Sequence, residues 1–180
     1  MNGPGVARTV PVGASDPAYR AFGQEFPSAA HLEGVTNGEV WNSSGTLVGI
    51  DWVLTAAHVT SNASDITITI AGGTYNILES VPHPEWNGDA TSGNDLALVR
   101  LEQALPGASV APLYPGTDEL GQTAAYAGFG KSGTGLTGAT TSAGTLRAGK
   151  NVIDSVGLTI TDPGNFPGQP DITLSSFSDR

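Results

Sequence analysis

The chain has no cysteine, only 7 Lys and Arg against 17 Asp and Glu, and no long apolar run. Without cysteine there is no disulfide framework, and its absence alone says little about redox compartment. A net charge of −10 and a pI near 4.4 leave no basic stripe to displace counterions, so no nucleic-acid partner is expected. The acidity reads as a solubility feature. No stretch approaches the ~18 apolar residues of a membrane span. Met1–Val10 has no apolar core, so as it stands it is not a signal peptide. The three histidines, His31, His58 and His83, are far apart and show no paired ligand spacing; neither a metal nor a cofactor is expected. Gly130-Lys131-Ser132 is not a phosphate loop, because the position that motif needs as Gly is Ala125. No segment sustains a helical period.

What is present suits short strands and tight turns: 25 Gly and 12 Pro among many Thr, Ser and Val. The fold class expected is all-β. Ile66-Thr67-Ile68-Thr69-Ile70 alternates cleanly, and Asn37-Gly38 is a strong hairpin turn within His31–Trp41. Ala71–Thr74 reads as a turn and Tyr75–Val81 as the next strand. Pro82 and Pro84 make His83 a loop residue. Leu105 to Gly116, rich in proline, reads as a stiff connection between two units, with a boundary near 106. Beyond it, Thr123–Phe129, Thr145–Arg147, Asn151–Ile160 and Ile172–Leu174 read as strands. Lys131–Thr141 reads as a loop, and 162–170 as turns.

Two stretches stand out. In Ser44–His58, the apolar runs Thr46–Ile50 and Trp52–Leu54 flank Asp51 and read as two short strands joined by a tight turn, and Thr55-Ala56-Ala57 lead to His58. In Gly93–Leu101, Asp95 sits just before the apolar run Leu96-Ala97-Leu98-Val99. A His and an Asp at two strand ends can orient and charge-stabilise each other.

Leu54-Thr55-Ala56-Ala57-His58 followed by Asn94-Asp95-Leu96-Ala97-Leu98-Val99-Arg100-Leu101 resembles the trypsin-like (chymotrypsin-fold) serine proteases. The resemblance is strong from about Ser44 to Leu101 and thin elsewhere. It implies two antiparallel β-barrels, the second incomplete: 1–105 as the first barrel with an N-terminal arm, 106–180 as linker and partial second barrel. It implies a serine endopeptidase acting on peptide or protein substrates, with His58 as general base and Asp95 as its orienter. Val59 stands where many members carry Cys, which fits a bacterial-type member. A secreted or periplasmic location follows from the same resemblance. Ala7–Gly13 matches the family's activation site poorly, and the N-terminal segment reads as an arm lying on the barrel.

The chemistry explains the pairing. A serine hydroxyl is a poor nucleophile at neutral pH and needs a base. Imidazole, titrating near pH ~6.5, can take the proton and return it to the leaving amine. The nucleophile motif of the family, Gly-Asp-Ser-Gly-Gly, is missing from the sequence. Ser132 lacks the preceding Asp, and Ser175, Ser176 and Ser178 lack the flanking glycines that would free backbone amides for an oxyanion hole. The family's spacing puts the serine beyond Arg180. Two other readings follow: a catalytically inactive pseudoprotease serving as a binding module, or one chain of a cleaved two-chain protease whose own C-terminal segment is its partner. Asn42-Ser43-Ser44 and Asn62-Ala63-Ser64 match a glycosylation pattern common by chance. Trp41, Trp52 and Trp86 read as core or rim aromatics.

Overall fold

A computed structural model of the protein describes residues 16–91, 93–134, 138–153, 159–162 and 172–175. The chain opens on a helix, α1 (Asp16–Gly23), then builds six strands: β1 (Ala29–Thr36), β2 (Glu39–Leu47), β3 (Trp52–Thr55), β4 (Ser64–Ile70), β5 (Gly73–Pro82) and β6 (Ala97–Leu101). These close into an antiparallel barrel in the order β1-β2-β3-β6-β5-β4. Closure leaves no free edge in this unit.

Two hairpins set the register. Asn37 (φ 53°) and Gly38 (φ 81°) join β1 to β2, and Ala71 (φ 51°) and Gly72 (φ 80°) join β4 to β5. Both are two-residue loops with positive φ at both positions, the geometry whose twist matches paired strands. The Ile66-Thr67-Ile68-Thr69-Ile70 alternation puts its three isoleucines inside and Thr69 outside. Ile68 and Ile70 meet Leu32, Leu47, Val53, Val99 and Leu101 in a core that includes Val59 and Leu105. Between β5 and β6 the register slips by one residue at Leu78, which bulges outward and is 63% exposed.

Several segments differ from the sequence reading. Strand β2 begins at Glu39 and ends at Leu47, so 48–51 form the turn instead of a strand end; Leu105 N–H donates to Ile50 O (2.7 Å) and Leu101 N–H to Asp51 O (2.8 Å) there. Helix α1 was not anticipated. It packs on the later strand β10 through a 2.5 Å bond from Arg147 Nε to Asp16 and the Lys150 ammonium over Phe22 (4.9 Å). The Gly/Thr/Ser segment read as a loop contains a short hairpin, β8 (Ser132–Thr134) with β9 (Gly138–Thr141).

The second unit also has β7 (Thr123–Gly128) paired with β10 (Arg147–Val152), and β11 (Thr159–Asp162) with β12 (Ile172–Ser175). These are separate two-stranded sheets, so one closed six-stranded barrel is followed by a partial second sheet system, as the all-β expectation with an incomplete second barrel has it. The turns expected at 163–170 lie outside the described residues. Contacts join the units: Phe129 N–H donates to Ser44 Oγ (2.8 Å), the His31 and Phe129 rings stack with centroids 4.8 Å apart, and Ala111 N–H donates to Leu47 O (2.8 Å). Among the described residues no helix is long and apolar enough to cross a membrane.

Candidate active site

Strands β3 and β6 are antiparallel neighbours, with Thr55 opposite Ala97. The end of β3 and the start of β6 therefore lie at the same rim of the barrel. That register brings together two residues 37 apart in sequence.

At the end of β3 the Thr55 hydroxyl, 6% exposed, donates to Ser44 O at 3.0 Å, where the strand leaves its ladder. Ala56 is still extended (φ −78°, ψ 143°), and the chain then makes a single helical turn, α2 (Ala57–Thr60). His58 thus sits on a helical turn, where a strand end was expected. Ala57 and Val59 on either side are buried, which leaves the His58 side chain projecting outward, 56% exposed.

On the other side of the rim, Gly93 (φ 86°) and Asn94 (φ 56°) turn the chain before Asp95. Leu96 N–H then donates to Asn94 O at 2.8 Å. Asp95 Oδ1 accepts His58 N–H (2.8 Å), and Oδ2 lies 2.6 Å from His58 Nδ1; the Asp95 side chain is 17% exposed. One carboxylate thus holds both the backbone and the ring of the same residue. A carboxylate only accepts, so the proton between them belongs to Nδ1. In the neutral imidazole that leaves the Nε2 lone pair free to accept a proton.

The loop between β5 and β6 is ordered by its own side chains. Asp89 accepts from the Thr91 hydroxyl (2.7 Å) and backbone N–H (2.8 Å), and these bonds, the hydroxyl's first, hold its carboxyl below the usual range. Trp86 Nε1 donates to Ser61 Oγ (3.3 Å), and Ser80 Oγ to Thr60 Oγ1 (2.9 Å). Sequence reasoning missed these ties to α2, because they link residues 25 and 20 apart with no local pattern.

The other histidines do not join the pair. His31 Nε2 faces Asn42 Oδ1 at 2.8 Å, and His83 Nδ1 accepts from Glu85 N–H at 3.2 Å. Among the described residues no group of three or more His, Cys, Asp and Glu is placed to hold a metal ion. Among them, too, the His58 ring hydrogen-bonds to Asp95 alone, so Ser132, in β8, is not its partner. Ser176 and Ser178 lie outside the described residues.

A family model described as Trypsin matches residues 18–162. Chymotrypsin-like elastase family member 1 of Rattus norvegicus is 31% identical over 94 residues, 44% of this chain and 35% of that protein. Duodenase-1 of Bos taurus is 34% identical over 87 residues, 42% of this chain and 33% of that protein. Among solved structures, HL collagenase superposes with a TM-score of 0.58 at 23% identity, covering 71% of this chain and 58% of its own. Neuropsin, a serine protease expressed in the limbic system of mouse brain, gives 0.54 at 22% identity, covering 69% and 58%. The chain therefore spans about a third of the length of the curated relatives it matches. The family match runs through both units and across the rim where β3 meets β6, and on that ground this chain belongs to the trypsin family.

Proposed function

We propose that this chain carries the general base and its orienting acid for a trypsin-like serine endopeptidase. His58 takes the proton from a serine hydroxyl through Nε2 and passes it to the leaving amine. Asp95 keeps the Nδ1–H tautomer and stabilises the imidazolium that forms. The observation that carries the reading is the pair of hydrogen bonds from His58 to Asp95, 2.8 Å from the backbone N–H and 2.6 Å from the ring, on the exposed rim of a closed barrel. Substrates in this reading are peptide bonds of peptides or proteins. In this reading the nucleophile is supplied from outside residues 1–180, in which no Gly-Asp-Ser-Gly-Gly occurs. We take 1–105 as the first barrel with its arm and 106–180 as linker and second-barrel strands, and we place the protein outside the cytoplasm.

The test is labelling with a fluorophosphonate probe, which needs a serine activated by a base. Three samples decide it: residues 1–180, a longer form carrying the Gly-Asp-Ser-Gly-Gly segment, and that form with His58→Ala. Only the second should label strongly. Strong labelling of 1–180 itself would mean that the nucleophile is within it. Equal labelling of the longer form with and without His58 would end the triad reading.

A further inference from the structure

The Ala57–His58 peptide unit is held at both ends. Its N–H, from His58, goes to Asp95 Oδ1. Its carbonyl, Ala57 O, accepts from Ser61 N–H (3.0 Å), Ser61 Oγ (2.8 Å) and Thr60 Oγ1 (3.3 Å). Rotation of this one plane is what would swing the imidazole off the carboxylate, and α2 is too short to resist it alone. Its entry residue, Ala56, offers no side-chain cap. The Ser61 hydroxyl adds to the backbone bond only while it is aimed at Ala57 O, and the group that fixes that aim is the Trp86 indole N–H, which the Ser61 oxygen accepts. A hydroxyl has one hydrogen to donate and lone pairs to receive, so accepting from Trp86 leaves its own proton for Ala57 O.

Trp86 belongs to the same β5–β6 loop that delivers Asp95, and it is itself tied there by a 2.9 Å bond from its backbone N–H to His83 O. The turn bearing the histidine and the loop bearing the aspartate are thus joined twice: by the His58–Asp95 contact, and by Trp86–Ser61. We propose that Trp86, acting through Ser61, is a positioning residue that sets the His58 peptide plane and so the alignment of Nδ1 with Asp95. This rests on the reading of His58 and Asp95 as the catalytic pair. The indole has a role beyond filling the rim, and its N–H, not its area, is the working group.

Proton NMR of the full 180-residue chain tests this directly, using the low-field resonance of the His58 Nδ1 proton, assigned by its loss in His58→Ala. Trp86→Phe keeps the ring and removes the donor; Ser61→Ala removes the relay. Loss of a hydrogen bond of ordinary net strength corresponds to a factor of about five, so the proton should exchange with water about five-fold faster in each variant. The double variant should be no faster than either alone, and Ser61→Thr should restore the original rate. A residue that only fills space would lower the melting temperature and leave this proton unchanged. An unaltered rate in both Trp86→Phe and Ser61→Ala, with the resonance still lost in Asp95→Asn, would overturn the positioning role and leave the pair intact. No protected His58 resonance in the parent chain would overturn both.

Discussion

Thr55 is the polar side chain buried most deeply among the described residues, and it sits two residues before the His58 turn. Its hydroxyl takes the place of a ladder bond where β3 leaves β2, donating to Ser44 O at 3.0 Å. Thr55→Val keeps the shape and deletes the donor. Removing one partner of a buried bond costs about 1–3 kcal/mol, since the Ser44 carbonyl loses its compensation. The methyl that replaces the hydroxyl returns up to about 0.8 kcal/mol by burial. Together these give a net loss of about 0.2–3 kcal/mol, about 1–2 kcal/mol at mid-range, and that mid-range value in a chain of this size is a fall of roughly 2–8 °C in melting temperature. Thr69→Val is the control. Its hydroxyl pairs with Thr74 at 2.8 Å on the exposed face, with water as an alternative partner, so the change should stay within about 0.5 kcal/mol. Urea titration of the full chain reads both, and the midpoint should move without a change in slope if the native state alone is affected. Thr55→Val as stable as the parent would refute the role assigned to this hydroxyl.

Further outcomes follow from the barrel and from α1. Ile68→Ala, at a fully buried site, should cost about 2–5 kcal/mol in the same titration, while Leu78→Ala at the outward bulge should cost under about 0.5; equal effects would mean the barrel interior is wrongly assigned. Arg147, hydrogen-bonded to Asp16, holds that carboxyl below its ordinary 3.8, so the tie stabilises the docked helix above that value and is lost as pH falls through the lower, folded one. Hydrogen exchange of α1 amides relative to β4 should accordingly rise as pH is lowered from above 3.8 through the folded-state value beneath it, and unchanged protection would remove the bond from the account.

The first barrel was legible because its signals are local. The Asn37-Gly38 turn and the alternating isoleucines of β4 fix register over a few residues, and the rim pair rides on a motif around His58 and Asp95. Helix α1 was not legible, since Asp16–Gly23 is too short to show a period and its support comes from Arg147, 131 positions away. Of the turn at 48–51, residues 48–50 read as strand because Val48 and Ile50 are apolar. Ile50 is in fact 57% exposed, its carbonyl engaged by Leu105. The β8–β9 hairpin was hidden by its Gly, Thr and Ser composition, which is as common in loops as in short exposed strands. The ties from Trp86 and Ser80 to α2 depend on how the β5–β6 loop folds over the rim, which no spacing in the chain announces.

The central claim is that Asp95 works by holding His58 in the Nδ1–H tautomer. Its most direct measurement is kcat/KM for peptide hydrolysis by the longer form carrying the Gly-Asp-Ser-Gly-Gly segment, with and without Asp95→Asn. An amide at Asp95 can still accept His58 N–H with its oxygen, so the turn should persist. Its NH₂ would then face Nδ1 and force the proton to Nε2, which removes the base. The account predicts a fall of about 10⁴-fold carried by kcat, as known for the Ser-His-Asp triad of serine proteases, with an unchanged melting profile. Turnover within about ten-fold of the parent would contradict it, because a base that works equally well without its carboxylate is not oriented by Asp95.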